Sequence, residues 1–255
     1  MKKIYKRIIK KIIKTNKFTN PANPFNNKLV QDAEYNMTYD FNSNLWNLNY
    51  IGTIKNFNNQ NKNFIVILES PHIDEFDQNG NGIKPLKNDK YFIEKFGGLL
   101  NRSNSFKKIL TQNTRYTVYL VNAIQYQCSL GYPTEYYRDY VFLYYWERKK
   151  QDFINRLKNI INSKTIGIIN LCTKGSHKMV HQIYDKKSNT YHNMYKACGV
   201  RFINKVYGLS QSNINSLNSL VECSIKTAIT SSSYQIIYTI GNHPSSWYSN
   251  KARIK

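Results

Sequence analysis

Three polar side chains of types used in catalysis stand at the ends of apolar runs in this chain. Glu69 follows FIVIL (64–68), Asn122 lies near the end of YTVYLVNA (116–123), and His243 comes just after YQIIYTI (234–240), inside Gly241-Asn242-His243-Pro244-Ser245-Ser246-Trp247. A fourth run, TIGIINL (165–171), leads into Cys172-Thr173-Lys174-Gly175-Ser176. A carboxylate orients water or supports a developing cation. An imidazole hydrogen-bonds to a developing anion. A side-chain amide offers both a donor and an acceptor. These groups act together only if the fold gathers positions spread from residue 69 to residue 243.

The runs themselves suggest how. Each is continuously apolar, rich in β-branched or aromatic residues, and bounded by polar turns, as in strands buried on both faces. Helical spacing separates them. Residues 135–162 place Phe153, Ile154, Leu157, Ile160 and Ile161 on one side, and residues 210–229 carry Leu217, Leu220, Val221 and Ile225 behind Ser210 as an N-cap. Residues 18–60, rich in Asn and Pro, read as loops, and residues 186–209 as an insertion. The alternation predicts an α/β fold, a three-layer α/β/α sandwich with a central four-stranded mostly parallel sheet and right-handed crossovers. Ligands of such a sheet bind beyond the carboxyl ends of its strands, so the acid, the amide and the histidine are expected at one rim.

Composition limits the partners. The chain has 255 residues and a formal charge of +22, with 41% apolar and 14% aromatic residues. That aromatic content excludes a disordered basic tail. The charge favours a nucleic-acid partner, because backbone phosphates reward dispersed Lys and Arg. Residues 1–17 read as a separate basic amphipathic helix, with Ile4, Ile8 and Ile12 in one row and Tyr5, Ile9 and Ile13 in the next. No Trp or Phe sits in its apolar face, so it is expected to dock on the protein with its lysines toward DNA rather than on a membrane. Residues 18–255 are expected to form a single domain. No membrane span and no signal peptide are read, and the four scattered cysteines (Cys128, Cys172, Cys198, Cys223) read as reduced thiols. The expectation is a cytoplasmic, nucleoid-associated monomer that binds DNA.

With ILESPHIDEF (67–76), KFGGLL (95–100), VYLVNAIQY (118–126) and NHPSSW (242–247) in this order, the chain resembles the uracil-DNA glycosylase superfamily, most closely its thermophile-type branch. The resemblance covers residues 64–247. It implies a monofunctional DNA glycosylase that flips out an aberrant or modified pyrimidine and hydrolyses its N-glycosidic bond. Glu69 is then the carboxylate that supports the sugar cation and orients water, His243 the donor to the departing base, and Asn122 the reader of the base edge. Ser70, Pro71, Ser245, Ser246 and Lys174 are expected at the DNA backbone.

This chain departs from the family pattern at several points. Ser70 stands where the best-known branch has its water-activating Asp, which makes Asp74 and Glu75 further candidates. His72 occupies the position that senses the C5 side of the base, and Leu86, with Tyr91 and Phe92 close behind, falls where an aromatic stacks on it. The N-terminal cysteine pair that helps hold the branch's iron–sulfur cluster is missing, so neither a cluster nor any other cofactor or metal is expected. The alternatives are a glycosylase acting on hypermodified phage bases in antiviral defence, and a non-catalytic DNA-binding protein on the same fold. His177 and His181 sit four apart on an expected helix but have no third ligand, and read as a solvated face. The aromatic cluster Tyr136, Tyr137, Tyr140, Tyr144, Tyr145 and Trp146 reads as core packing.

Overall fold

In the computed structural model the described residues are 29–40, 45–54, 60–87, 90–111, 114–128, 138–175, 181–185, 190–195, 216–247 and 252–254. The expected helix over 1–17 lies outside them, as do Tyr136, Tyr137 and His177. In chain order the elements are β1 (Ala33–Asp40), β2 (Leu45–Thr53), β3 (Lys62–Leu68), α1 (Lys90–Arg102), β4 (Tyr116–Asn122), α2 (Arg138–Ile160), β5 (Thr165–Asn170), β6 (His181–Asp185), β7 (Thr190–Tyr195), α3 (Leu217–Thr230) and β8 (Ile237–Ile240). Single 3-10 turns lie at Ile73–Glu75 and Pro244–Ser246.

All four apolar runs form strands, and they pair in parallel in the order β4-β3-β5-β8. Every residue of β4 is buried, which explains its unbroken apolar pattern. Ile65, Ile67, Tyr119, Val121 and Ile168 pack with α2 and α3 on one face. Phe64, Val66, Val118, Leu120 and Ile169 pack with α1 on the other. Each such side chain contributes about 1.5–3 kcal/mol on burial.

Among the described residues the sheet has six strands, not four. β1 adds antiparallel to β4, and β2 adds antiparallel to β1. Both come from the segment expected to be loops. Ala33, Tyr35 and Met37 are buried while Glu34, Asn36 and Thr38 are only partly so, a period of two that the Asn-rich composition hides. β2 is mostly exposed, with Leu48 as its buried residue, so it lacks the hydrophobic density of an inner strand. α1 lies over this hairpin. A Cβ at Gly97 would fall 2.2 Å from the Cβ of Trp46, so the glycine lets helix and strand approach closely.

Two further expectations change. α3 starts at Leu217 with Ser216 as its cap, the Ser216 side chain accepting the Ser219 N–H at 3.3 Å; Ser210 lies outside the described residues. His181 opens β6, paired antiparallel with β7, so it does not belong to a helix: strand pairing with the following segment overrides the helical spacing. Tyr145 and Trp146 are buried against α3 and the sheet, as core packing requires. Among the described residues no helix is long and apolar enough to cross a membrane.

Candidate active site

The central position of β3 places its carboxyl end between those of β4 and β5. The ladder runs past the strand, with Ala123 N–H donating to Leu68 O at 2.7 Å and Ile124 N–H to Glu69 O at 2.9 Å. Glu69 is thus fixed at the sheet rim, with its side chain 5% exposed. The Thr173 backbone N–H, beyond the end of β5, donates to its Oε2 at 3.1 Å. Arg138 Nη1, at the first residue of α2, lies 3.8 Å from Oε1. His243 Nε2 lies 3.5 Å from Oε2. A backbone N–H, a guanidinium and an imidazole nitrogen thus surround one carboxyl.

His243 arrives from the opposite side of the rim. β8 is followed by Gly241, where a Cβ would lie 2.5 Å from Leu171 Cδ2 and 2.7 Å from Arg253 O; only a glycine lets the chain pass so close. His243 then caps the 3-10 turn. Its Nδ1 accepts the Ser245 N–H at 3.2 Å and lies 2.8 Å from Ser245 Oγ. A backbone N–H only donates, so Nδ1 holds a lone pair and the proton of the neutral ring sits on Nε2, toward Glu69. Burial lowers the His243 pKa, Glu69 raises it, and Arg138 and His72 lower it; the net direction is down. The imidazole is therefore a neutral Nε2–H donor near pH 7. The turn is braced from below: Trp247 stacks on Phe92 with centroids 5.8 Å apart, and Lys95 donates to the Trp247 carbonyl.

Glu69 and His243 share the wall of a cavity of about 410 Å³. Of the residues singled out from sequence, Ser70, Pro71, His72, Asp74, Leu86 and Ser245 also line it. His72 and Asp74 form an exposed pair at its mouth, with Nδ1 3.1 Å from Oδ2. Leu86 has a φ of 49°, a left-handed conformation costly for a leucine. Ser246 is not in the wall; its hydroxyl donates to the His243 carbonyl at 2.7 Å and shapes the turn. Lys174 is exposed outside the wall, and its carbonyl accepts the Leu217 N–H.

Asn122 pairs in register with Leu68, which lines the cavity, but Asn122 itself does not. Both polar atoms of its amide are buried without a hydrogen bond. Its backbone is clamped instead. Asp32 Oδ1 accepts its N–H at 3.2 Å, Arg156 Nη2 donates to its carbonyl at 2.9 Å, and Arg156 Nη1 pairs with Asp32 Oδ2.

Arg138 and the Thr173 N–H were given no role beside Glu69 from sequence, whereas Glu75 was a further candidate for the water-activating acid. Arg138 and the Thr173 N–H partner Glu69 only through the tertiary fold. Glu75 lies in the wall, 5% exposed, with Oε2 buried and unpaired. Burial pushes its pKa up to about 8, and neighbouring Glu69 and Asp74 add to the rise, against hydrogen bonds from the backbone at Leu86 and His72. Cys172 is buried beside this site, and burial followed by the charge of Glu69 raises its thiol far above the ordinary value, which disfavours a thiolate nucleophile. Among the described residues no cluster of three or more His, Cys, Asp or Glu is arranged to hold a metal ion. No family model, no curated protein and no solved structure matches this chain.

Proposed function

We propose that the chain is a DNA glycosylase that hydrolyses the N-glycosidic bond of an aberrant or modified pyrimidine flipped into this cavity. The observation that carries the reading is the meeting of Glu69 and His243, from two motifs at opposite ends of the sheet sequence, 3.5 Å apart in one cavity. Breaking an N-glycosidic bond leaves a cationic sugar and an anionic base. Glu69, held in place by Arg138 and the Thr173 N–H, is the carboxylate that supports the sugar cation and accepts from the attacking water. His243, neutral with its proton on Nε2, donates to a carbonyl of the departing base, and this hydrogen bond strengthens as the anion develops. Ser70 at the wall offers its hydroxyl to a flanking phosphate, whereas both donors of Ser245 are turned to His243. The net charge of +22 supports an anionic polymer as the substrate.

The test is incubation of the full-length protein with duplexes that each carry one pyrimidine variant, including bases substituted at C5, followed by alkali to cleave abasic sites. The expected result is strand cleavage on at least one duplex and its loss in Glu69→Gln and His243→Ala, with DNA binding retained. Binding without cleavage of any duplex would leave a DNA-binding module on this fold.

A further inference from the structure

The 3-10 turn behind His243 is closed within itself. The Ser246 N–H donates to His243 O and the Trp247 N–H to Pro244 O, both at 2.9 Å, and Ser246 Oγ donates to His243 O at 2.7 Å. These bonds fix the shape of the turn, not its place at the rim. The sheet gives its last support two residues before His243, where the Gly241 N–H donates to Asn170 O of β5 at 3.0 Å. Past that point the chain after β5 bonds back to β3, the Leu171 N–H donating to Ile67 O at 2.8 Å. β8 is also the edge strand of the sheet, so no ladder on its outer side carries the support further.

Residues 252–254 take up that place. Ile254 bridges Gly241 in the antiparallel sense, and Arg253 O accepts the Asn242 N–H at 2.9 Å. The Asn242 carbonyl in turn accepts Trp247 Nε1–H at 2.9 Å. Both backbone polar groups of the residue before His243 are therefore occupied, one of them by this segment. Ile254 is 7% exposed and belongs to the core cluster that holds Phe92, Leu171 and Trp247, and its burial anchors the segment. The fit is close: a Cβ on Gly241 would lie 2.7 Å from Arg253 O and 3.3 Å from Ile254 Cγ1.

Resting on the base-excision reading, we infer that Ile254 and the Arg253 carbonyl form a clamp that positions His243: by holding the backbone of Asn242 they keep the imidazole in the cavity wall, with Nε2 3.5 Å from Glu69. Neither Arg253 nor Ile254 lines the cavity, so both are positioning residues and act only through His243. The Arg253 side chain is exposed, which leaves the role to its backbone and to the buried neighbour. A group that must meet charge as it develops is sensitive to small displacements, and a misplacement of about 1 Å costs up to about 10²-fold in rate. Here the placement depends on one backbone hydrogen bond and one buried side chain, about ten residues along the chain from the imidazole they hold.

The test uses the full chain in two independent assays. Ile254→Ala shortens the anchor, and Gly241→Ala drives a Cβ against the Arg253 carbonyl. Ile254→Val keeps most of the anchor. Leu157→Ala, in the core on the other face of the sheet, controls for plain loss of stability. In the first assay nitrogen-15 NMR reads the His243 ring and the exchange of the Asn242 amide, with no substrate present. Ile254→Ala and Gly241→Ala should each shift the ring signals and speed that exchange, Ile254→Val should restore both, and Leu157→Ala should leave the ring signals unmoved. Ring signals that stay at the parent position in both clamp variants overturn the proposal whatever the duplexes do. In the second, base release is followed under single turnover at saturating duplex. It should fall by about tenfold in Ile254→Ala and by up to about 10²-fold in Gly241→Ala, with DNA affinity unchanged because phosphate contacts dominate it. Unchanged release on a duplex that the parent cleaves, or an equal loss in Leu157→Ala, overturns the clamp and leaves the excision reading standing. The NMR responses without cleavage of any duplex uphold the clamp and overturn excision.

Discussion

Glu69 and Glu75 are six residues apart, line one cavity and are about equally buried, yet the partners brought to them differ. Glu69 sits on the rigid rim of the sheet, where the loop after β5, the first residue of α2 and the turn after β8 each bring it a donor or a positive charge. Glu75 sits on a 3-10 turn beyond the sheet, with one oxygen unpaired and other acids for neighbours. Residue type and depth are the same. The difference is whether the burial cost of the charge is met by fixed opposite charge and donors. Pairs of acids whose environments separate their ionisation are how a single site offers a base and an acid at one pH.

A third buried acid extends the comparison and carries the largest expected effect. Asp32 is pushed up by burial and pulled down by Arg156 and by the Asn122 N–H. Arg156→Met leaves it without its counter-charge and frees the Asn122 carbonyl. Chemical denaturation should show a loss of about 3–5 kcal/mol, the usual result of breaking a buried pair. A loss below about 1 kcal/mol, the range of exposed pairs, would place Asp32 nearer to Glu75 than to Glu69 in behaviour.

Next in size is the catalytic contrast. Glu69→Gln should slow base release by about 10²-fold or more, on the order of the 3 kcal/mol attached to one oriented transition-state group. Glu75→Gln at pH 7 should change it far less, because the amide copies the neutral acid. Equal losses from the two substitutions, measured under single-turnover conditions, would abolish the distinction between the acids.

A smaller effect separates them through stability. The folded pKa of Glu75, about 8, lies above its ordinary value of 4.5. Its contribution to stability is therefore complete below pH 4.5 and is lost as pH rises through about 8, with a slope of at most about 1.4 kcal/mol per pH unit. His243 has the opposite sign. Its folded pKa is lowered, so its contribution is present above the ordinary histidine value and lost as pH falls. Calorimetry should show Glu75 pulling Tm down between about pH 4.5 and pH 8 and levelling off above that, so that Glu75→Gln removes this fall, while His243→Ala alters only the curve below the ordinary histidine value. A slope between about pH 4.5 and pH 8 unaltered by Glu75→Gln would assign the titration to another group.

The smallest expected effect is at the cavity mouth. His72 and Asp74 pair 3.1 Å apart with side chains 43% and 59% exposed. Solvent screens such a pair, and Asp74→Asn should cost no more than about 1 kcal/mol in denaturation experiments. It should also leave base release within a few-fold of the parent. A dead Asp74→Asn variant would move the water-orienting carboxylate out to the mouth and return Glu69 to a structural role.

Much of this arrangement was already legible in the linear chain. Unbroken apolarity in FIVIL, YTVYLVNA, TIGIINL and YQIIYTI is a local property that suits strands of a parallel sheet, and the four strands and the rim position of Glu69 and His243 followed from it, although the last of them is an edge strand and only partly buried. The β1–β2 hairpin was concealed because a sheet edge needs few apolar residues, and asparagines that normally mark loops stand on its exposed face. Tertiary contact decided the rest. Spacing along the chain does not indicate that Arg138 and the Thr173 N–H turn toward Glu69, or that Asp32 and Arg156 seize the backbone of Asn122 and hold its side chain outside the cavity wall. Nor does it distinguish Glu69 from Glu75. The ionisation of a buried acid depends on the charges and donors that other segments bring within a few ångströms, and those distances exist only once the chain has folded.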